Sequence, residues 1–144
     1  MNKSIMNFAL IALVLTGIGG CSSPAKTDAK TDVNIPNLMG IWTGENKTYS
    51  DKKGYLTWTK TIEITEQKGR LFKGHFTYLA GTKSFSGVIY PDNTSFTWVG
   101  VDSKGYNHGR IYGTDSISAC YVESGEDATV GCVEMTKQKS KQPT

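Results

Sequence analysis

Three cysteines, two histidines and one lysine on an apolar stripe are the residues of this 144-residue chain that could carry chemistry. A thiol can act as nucleophile, metal ligand or half of a disulfide, and its surroundings decide which. Cys120 and Cys132 lie close in sequence, and a bridge between them would close a short loop, worth roughly 3 kcal/mol or somewhat less. As a metal pair they lack company, because His75 and His108 stand far away without ligand spacing; the disulfide is the favoured reading. The chain has no Gly-x-Ser-x-Gly elbow, phosphate loop or zinc-type histidine pair. Asp92, Asp102 and Asp115 fall in turn sequences, where capping explains them. His75 falls on the strand face opposite Phe76, and His108 lies near the Asp102–Gly105 turn, so surface positions explain both better than catalysis does. Glu45 and Arg110 are suited to an ion pair anywhere on the surface. The sequence therefore predicts no catalytic residue, no metal site and no cofactor, and argues against an enzyme.

The remaining cysteine belongs to a different pattern. Lys3 gives the start a positive charge, Phe8 to Leu15 form a short apolar run, and Ile18-Gly19-Gly20-Cys21 closes the segment. A charged start, an apolar middle and small residues at a cleavage site make a secretory signal peptide. The run is well under the roughly 18 apolar residues that a spanning helix needs. Its last four residues resemble the lipobox of bacterial lipoproteins, in which a lipid is attached to the cysteine thiol before the signal peptide is removed. The resemblance implies that Cys21 is the acylated (palmitate-type) first residue of the mature protein and its anchor in the cell envelope. In enteric lipoproteins an aspartate after that cysteine is the usual inner-membrane retention signal. Ser22 stands there instead, which implies the outer membrane. The odd cysteine count then resolves into one thiol for lipid and two for each other, in a compartment where disulfides persist.

Removing residues 1–20 takes away one lysine and no acid, so the formal charge falls from +3 to +2. That is too weak and too evenly spread to argue for nucleic acid. Residues 21–37 carry Ser, Pro, Ala, Lys, Thr and Asp with almost nothing to bury, and read as a lipidated N-terminus and flexible tether. Residues 38–136 make one small domain, and residues 137–144 a polar tail.

No long stretch of the domain repeats apolar residues at helical spacing. Short runs of β-branched and aromatic residues alternate instead with polar ones. Eight runs are predicted as strands: Met39–Thr48, Leu56–Glu66, Arg70–Leu79, Ser84–Tyr90, Thr94–Val101, Tyr106–Gly113, Ser116–Glu123 and Ala128–Thr136. The breaks between them are short and rich in Gly, Asn, Asp and Pro, which is hairpin chemistry. Consecutive strands joined by tight turns are antiparallel neighbours, and a meander of eight removes its edges most simply by closing into an up-and-down barrel. A β-sandwich is the alternative. The longer first connection, Tyr49 to Tyr55, would share one end with the third, fifth and seventh, and that end is the natural mouth.

Alternation assigns the faces. Leu56, Trp58, Lys60, Ile62 and Ile64 share one side of the second run. Phe72, Gly74, Phe76 and Tyr78 do so on the third, Phe96, Trp98 and Gly100 on the fifth, and Gly40, Trp42 and Gly44 on the first. An eight-stranded barrel is wide enough to be filled by its own side chains or to hold one small ligand, and the aromatic residues fit either account. Lys60 favours the ligand, because an unpaired buried ammonium is costly. Three resolutions remain open: Lys60 snorkels through the mouth, pairs with an acid such as Glu134, or meets an anionic ligand.

The Gly40-Ile41-Trp42 start, the meander and its closing strand resemble the calycin group, which contains the lipocalins and avidins. Leu71 to Gly81 followed by Ser84 to Gly87 is loosely similar to the third and fourth strands of avidin-like barrels. Phe76 stands where that family uses a pocket tyrosine, so the resemblance implies a fold and not biotin binding. The expectation is a lipid-anchored barrel that binds a small or lipid-like molecule, with Trp58, Lys60, Tyr78 and Trp98 facing inward and Lys60 nearest the mouth. The rival is a filled barrel whose outer surface binds a protein, as an enzyme inhibitor or envelope accessory factor.

Overall fold

Alternating inward and outward side chains build a closed barrel of eight antiparallel strands in a computed structural model that describes residues 34–78 and 80–139. Cys21, the segment before it and residues 140–144 lie outside the described residues. The strands are β1 (Gly40–Ser50), β2 (Gly54–Lys68), β3 (Leu71–Tyr78), β4 (Gly81–Ile89), β5 (Ser95–Gly100), β6 (Gly105–Ile111), β7 (Ser116–Glu123) and β8 (Thr129–Lys137). Each pairs with its sequence neighbour, and β8 returns to β1 through pairs such as Asn46 with Val133 and Tyr49 with Val130. Closure leaves no free edge.

The first hairpin is tighter than its sequence suggests. Tyr49 pairs with Tyr55 and Ser50 with Gly54, which carries the ladder to the tip and shrinks the connection to Asp51, Lys52 and Lys53. Gly54 has φ +68°, where a side chain would be strained. Two inward glycines bring strands together at the sharpest curvature. A Cβ on Gly44 would overlap the Glu134 carbonyl of β8, and one on Gly74 would overlap the Glu63 carbonyl of β2.

One half of the interior is packed solid. Trp42, Ile62, Phe72, Phe85, Phe96 and Met135 are buried there, and Phe72 meets Phe85 and Phe96 edge-on at centroid distances of 6.2 Å. The chain before β1 seals this end. Leu38 is 1% exposed, its N–H donates to Gln67 Oε1 at 2.9 Å, and its carbonyl accepts from Trp42 Nε1 at 2.8 Å. Gln67 Nε2 donates in turn to the Pro36 carbonyl at 2.8 Å, and Ile35 packs on the core. Ile35 to Asn37, assigned to the tether from their composition, thus lie against the barrel.

The disulfide links Cys120 and Cys132, directly opposed on β7 and β8 with Cα atoms 4.0 Å apart. Both residues are exposed on the outer face. The connection from Ser124 to Ala128 holds the register that brings them together.

Candidate functional site: a cup at the open end

The first, third, fifth and seventh connections gather at one end, and Lys53, Ala80, Asp102, Ser103 and Asp127 from them rim a cavity of about 310 Å³. It opens at the expected mouth, away from the sealed half. Its two sides differ in chemistry. Leu56 and Trp58 of β2 with Phe76 and Tyr78 of β3 form an apolar wall. Asn46, Thr48 and Ser50 of β1, Asn107 of β6, Tyr121 and Glu123 of β7 and Thr129 of β8 form a polar one.

Lys60 lies deeper than expected. β2 runs inward from Gly54 at the mouth, so Leu56, Trp58 and Lys60 sit at successive depths. Leu56 is 38% exposed, Trp58 half-buried and Lys60 only 6% exposed, so Lys60 is the furthest of the three from the mouth. Snorkelling is therefore ruled out. Pairing with Glu134 is ruled out too, because Glu134 faces solvent on the outside of β8. Lys60 Nζ instead donates to Asn107 Oδ1 at 3.3 Å and stands 5.2 Å and 5.5 Å from the ring centroids of Trp98 and Phe76. Cation–π attraction and one neutral acceptor only partly offset the desolvation of an ammonium. Burial accordingly pulls its pKa from 10.5 down to about 8. The ammonium predominates at neutral pH, and no carboxylate pairs with it among the described residues.

Of the other candidates from sequence, Trp58 and Tyr78 line the cavity, whereas Trp98 does not. Trp98 is inward but belongs to the packed half, with its ring 4.1 Å from that of Phe85. Its Nε1–H is buried without a partner among the described residues. His75 and His108 are on the outside, where His75 Nε2 meets Glu63 Oε2 at 3.1 Å and His108 Nδ1 meets Thr97 Oγ1 at 3.2 Å.

The lining residues missed from the sequence include Asn46, Asn107, Tyr121 and Glu123. The alternation that places Trp42 and Gly44 inward continues to Asn46, and the same step from Gly109 reaches Asn107. Tyr121 OH donates to Glu123 Oε2 and lies 3.3 Å from Ser103 Oγ, which ties the fifth connection to the end of β7. Burial, then the Glu123 carboxylate beside it, raises the Tyr121 pKa to about 12.

No protein-family model matches the chain, and no curated protein matches it in sequence. Among solved structures it is similar to a protein of unknown function of the DUF3598 family from Nostoc punctiforme PCC 73102, at 12% identity and a TM-score of 0.51. That alignment covers 70% of this chain and 47% of the other, so the chain spans about half the length of that protein. What the likeness shows is the fold, a closed eight-stranded antiparallel β-barrel. Weaker similarity extends to a de novo designed fluorescence-activating β-barrel, at 16% identity, TM-score 0.45, and 70% and 94% coverage of the two chains. It also extends to an S-type phycobiliprotein lyase from Guillardia theta, at 10% identity, TM-score 0.38, and 72% and 90% coverage. At such identities the likeness concerns the fold alone, and the function of this barrel rests on its own cup.

Proposed function

We propose that the chain is an envelope lipoprotein, tethered through Cys21 to the outer membrane, whose barrel binds a small anionic molecule and performs no catalysis. The observation that carries the reading is Lys60, an ammonium at the inner end of an open cavity whose polar and ring contacts among the described residues are a neutral amide and two aromatic rings. An anion with an apolar body supplies the missing countercharge and covers the apolar wall. A cavity of about 310 Å³ lies at the lower end of the range for small-molecule sites.

The test is a titration of the full chain with 8-anilinonaphthalene-1-sulfonate, an apolar body carrying one anionic group, followed by tryptophan emission. Saturable binding that weakens at least about tenfold in Lys60→Met is expected, since the substitution keeps the stem and removes the charge. Equal affinity in the variant would remove Lys60 from the reading. For the tether, Cys21→Ser should abolish incorporation of radiolabelled fatty acid; absence of label on the wild-type protein would refute the anchor.

One observation favours a protein-binding role alongside or instead. Tyr55, Tyr49, Val130, Val122 and Tyr106 are exposed on the outer face and paired strand to strand, giving an unbroken row across β2, β1, β8, β7 and β6. A contiguous exposed apolar row is a feature of interaction surfaces. A photo-crosslinking residue at Tyr49 in cells should then yield one discrete protein adduct, and its absence leaves the cup as the functional site.

A further inference from the structure

Asn46 narrows the ligand class. It sits on β1 beside Trp58 of β2, is 3% exposed, and lines the cavity, yet its side-chain amide takes part in no hydrogen bond among the described residues. That amide opens on the cavity, where water can complete it, so a bound molecule that displaces the water must replace those hydrogen bonds. Asn107 stands in a similar position, because its Oδ1 accepts from Lys60 while its amide donors have no partner among the described residues. The polar wall thus presents a donor and an acceptor at Asn46, donors at Asn107 and the Lys60 ammonium, all reached from one cavity. Trp58, Phe76 and Tyr78 on the other wall supply ring faces and edges, with Phe76 and Tyr78 at a centroid distance of 5.6 Å.

Building on the anion-binding reading above, we infer that the cup takes a carboxylate carried on a single ring, with one apolar face and one edge bearing amide or hydroxyl groups. The apolar face lies against Trp58 and Tyr78, the polar edge meets Asn46, and the carboxylate reaches inward to Lys60 and the Asn107 amide. An acyl chain satisfies only the carboxylate part of this arrangement. It would cover Asn46 with methylene groups and leave the amide unpaired, the kind of mismatch by which polar sites reject analogues that lack a hydrogen-bonding group. Two sources share this chemistry, an acylamino sugar acid and a heteroaromatic acid.

Isothermal titration of the full chain with four probes separates the outcomes: N-acetylmuramic acid, indole-3-acetic acid, laurate and N-acetylglucosamine. At least one ring acid should bind about tenfold or more tighter than laurate, and the one that does identifies the source. N-acetylglucosamine, which has the ring and amide without the carboxylate, should bind at least about tenfold more weakly than that ring acid. Asn46→Leu should weaken the ring acid and leave laurate unchanged or tighter. If this variant does not fold, Asn46→Ser withdraws the amide with less change in volume and serves the same comparison. Tighter binding of laurate than of either ring acid, equal binding of N-acetylglucosamine, or an Asn46 variant with unchanged ring-acid affinity overturns this inference and leaves anion binding standing. Failure of all three carboxylates to bind overturns the anion-binding reading itself.

Discussion

Lys60 Nζ and Asn107 Oδ1 meet at 3.3 Å from β2 and β6, strands that are not neighbours in the barrel. The bond spans the interior, and it joins a charged donor to a neutral acceptor. Its stability consequence has a definite sign. The folded pKa of Lys60, about 8, lies below its ordinary 10.5, so the unfolded chain binds more protons between those values. This group therefore destabilises the fold below pH 8, and the penalty is relieved as pH rises from 8 towards 10.5. The full shift corresponds to about 3 kcal/mol as an upper bound. Lys60→Met should raise the urea midpoint at pH 7 and flatten the stability rise between pH 8 and 10. A midpoint that falls instead would mean that the Asn107 bond and ring contacts outweigh desolvation.

Tyr121 acts in the opposite direction at higher pH. Its pKa is raised to about 12, above the ordinary 10.0, so in the unfolded chain it loses its proton first. Its contribution is fully present below pH 10 and is lost as pH climbs towards 12. Tyr121→Phe should reduce stability near neutral pH and soften the alkaline loss, read from thermal melts between pH 9 and pH 12. A variant with the wild-type alkaline profile would show that Tyr121 does not carry this effect.

The disulfide braces the outside of the wall that carries Tyr121 and Glu123. Cys120 faces solvent on β7 between inward Ala119 and Tyr121, and Cys132 faces solvent on β8 between Gly131 and Val133. Replacing both cysteines by serine should cost roughly 3 kcal/mol or less, because the closed loop is short and hairpin contacts already restrict it. Anilinonaphthalene sulfonate affinity should stay within about twofold of wild type under conditions where both are folded. A loss of affinity larger than about tenfold would mean that the bridge shapes the cup.

Much of the barrel is legible because half-buried strands alternate, and period two survives even where the inward residue is glycine, as at Gly44 and Gly74. Lys60 stood out because it breaks an apolar stripe. Asn46 and Asn107 did not, since polar residues on strands with glycine-rich inner faces break no apolar pattern. Depth was the other gap. Alternation assigns a side chain to a face, whereas its height depends on stagger between strands, and this is why Lys60 lies beneath Trp58 and Trp98 lies among the core aromatics. Leu38 was placed in the domain but not in its core: it continues the inward alternation of Gly40 and Trp42, yet it precedes the first strand, where alternation alone does not say that a side chain is packed.

Leu38 provides the last prediction. It is buried at the sealed end, its carbonyl holds Trp42 Nε1, and its N–H is held by Gln67 Oε1. Leu38→Ala leaves those backbone bonds available but removes the side chain, so its cost isolates packing. Truncating a buried leucine costs about 2–5 kcal/mol, depending on how far the surroundings collapse. Gln67→Ala should cost less, about 1 kcal/mol, because water reaches part of the site and can replace the lost bonds. Urea denaturation of both variants measures the difference directly. Since the cup opens at the other end, neither change should alter anilinonaphthalene sulfonate affinity by more than about twofold. A Leu38→Ala protein as stable as wild type would show that the segment before β1 does not seal the barrel in solution.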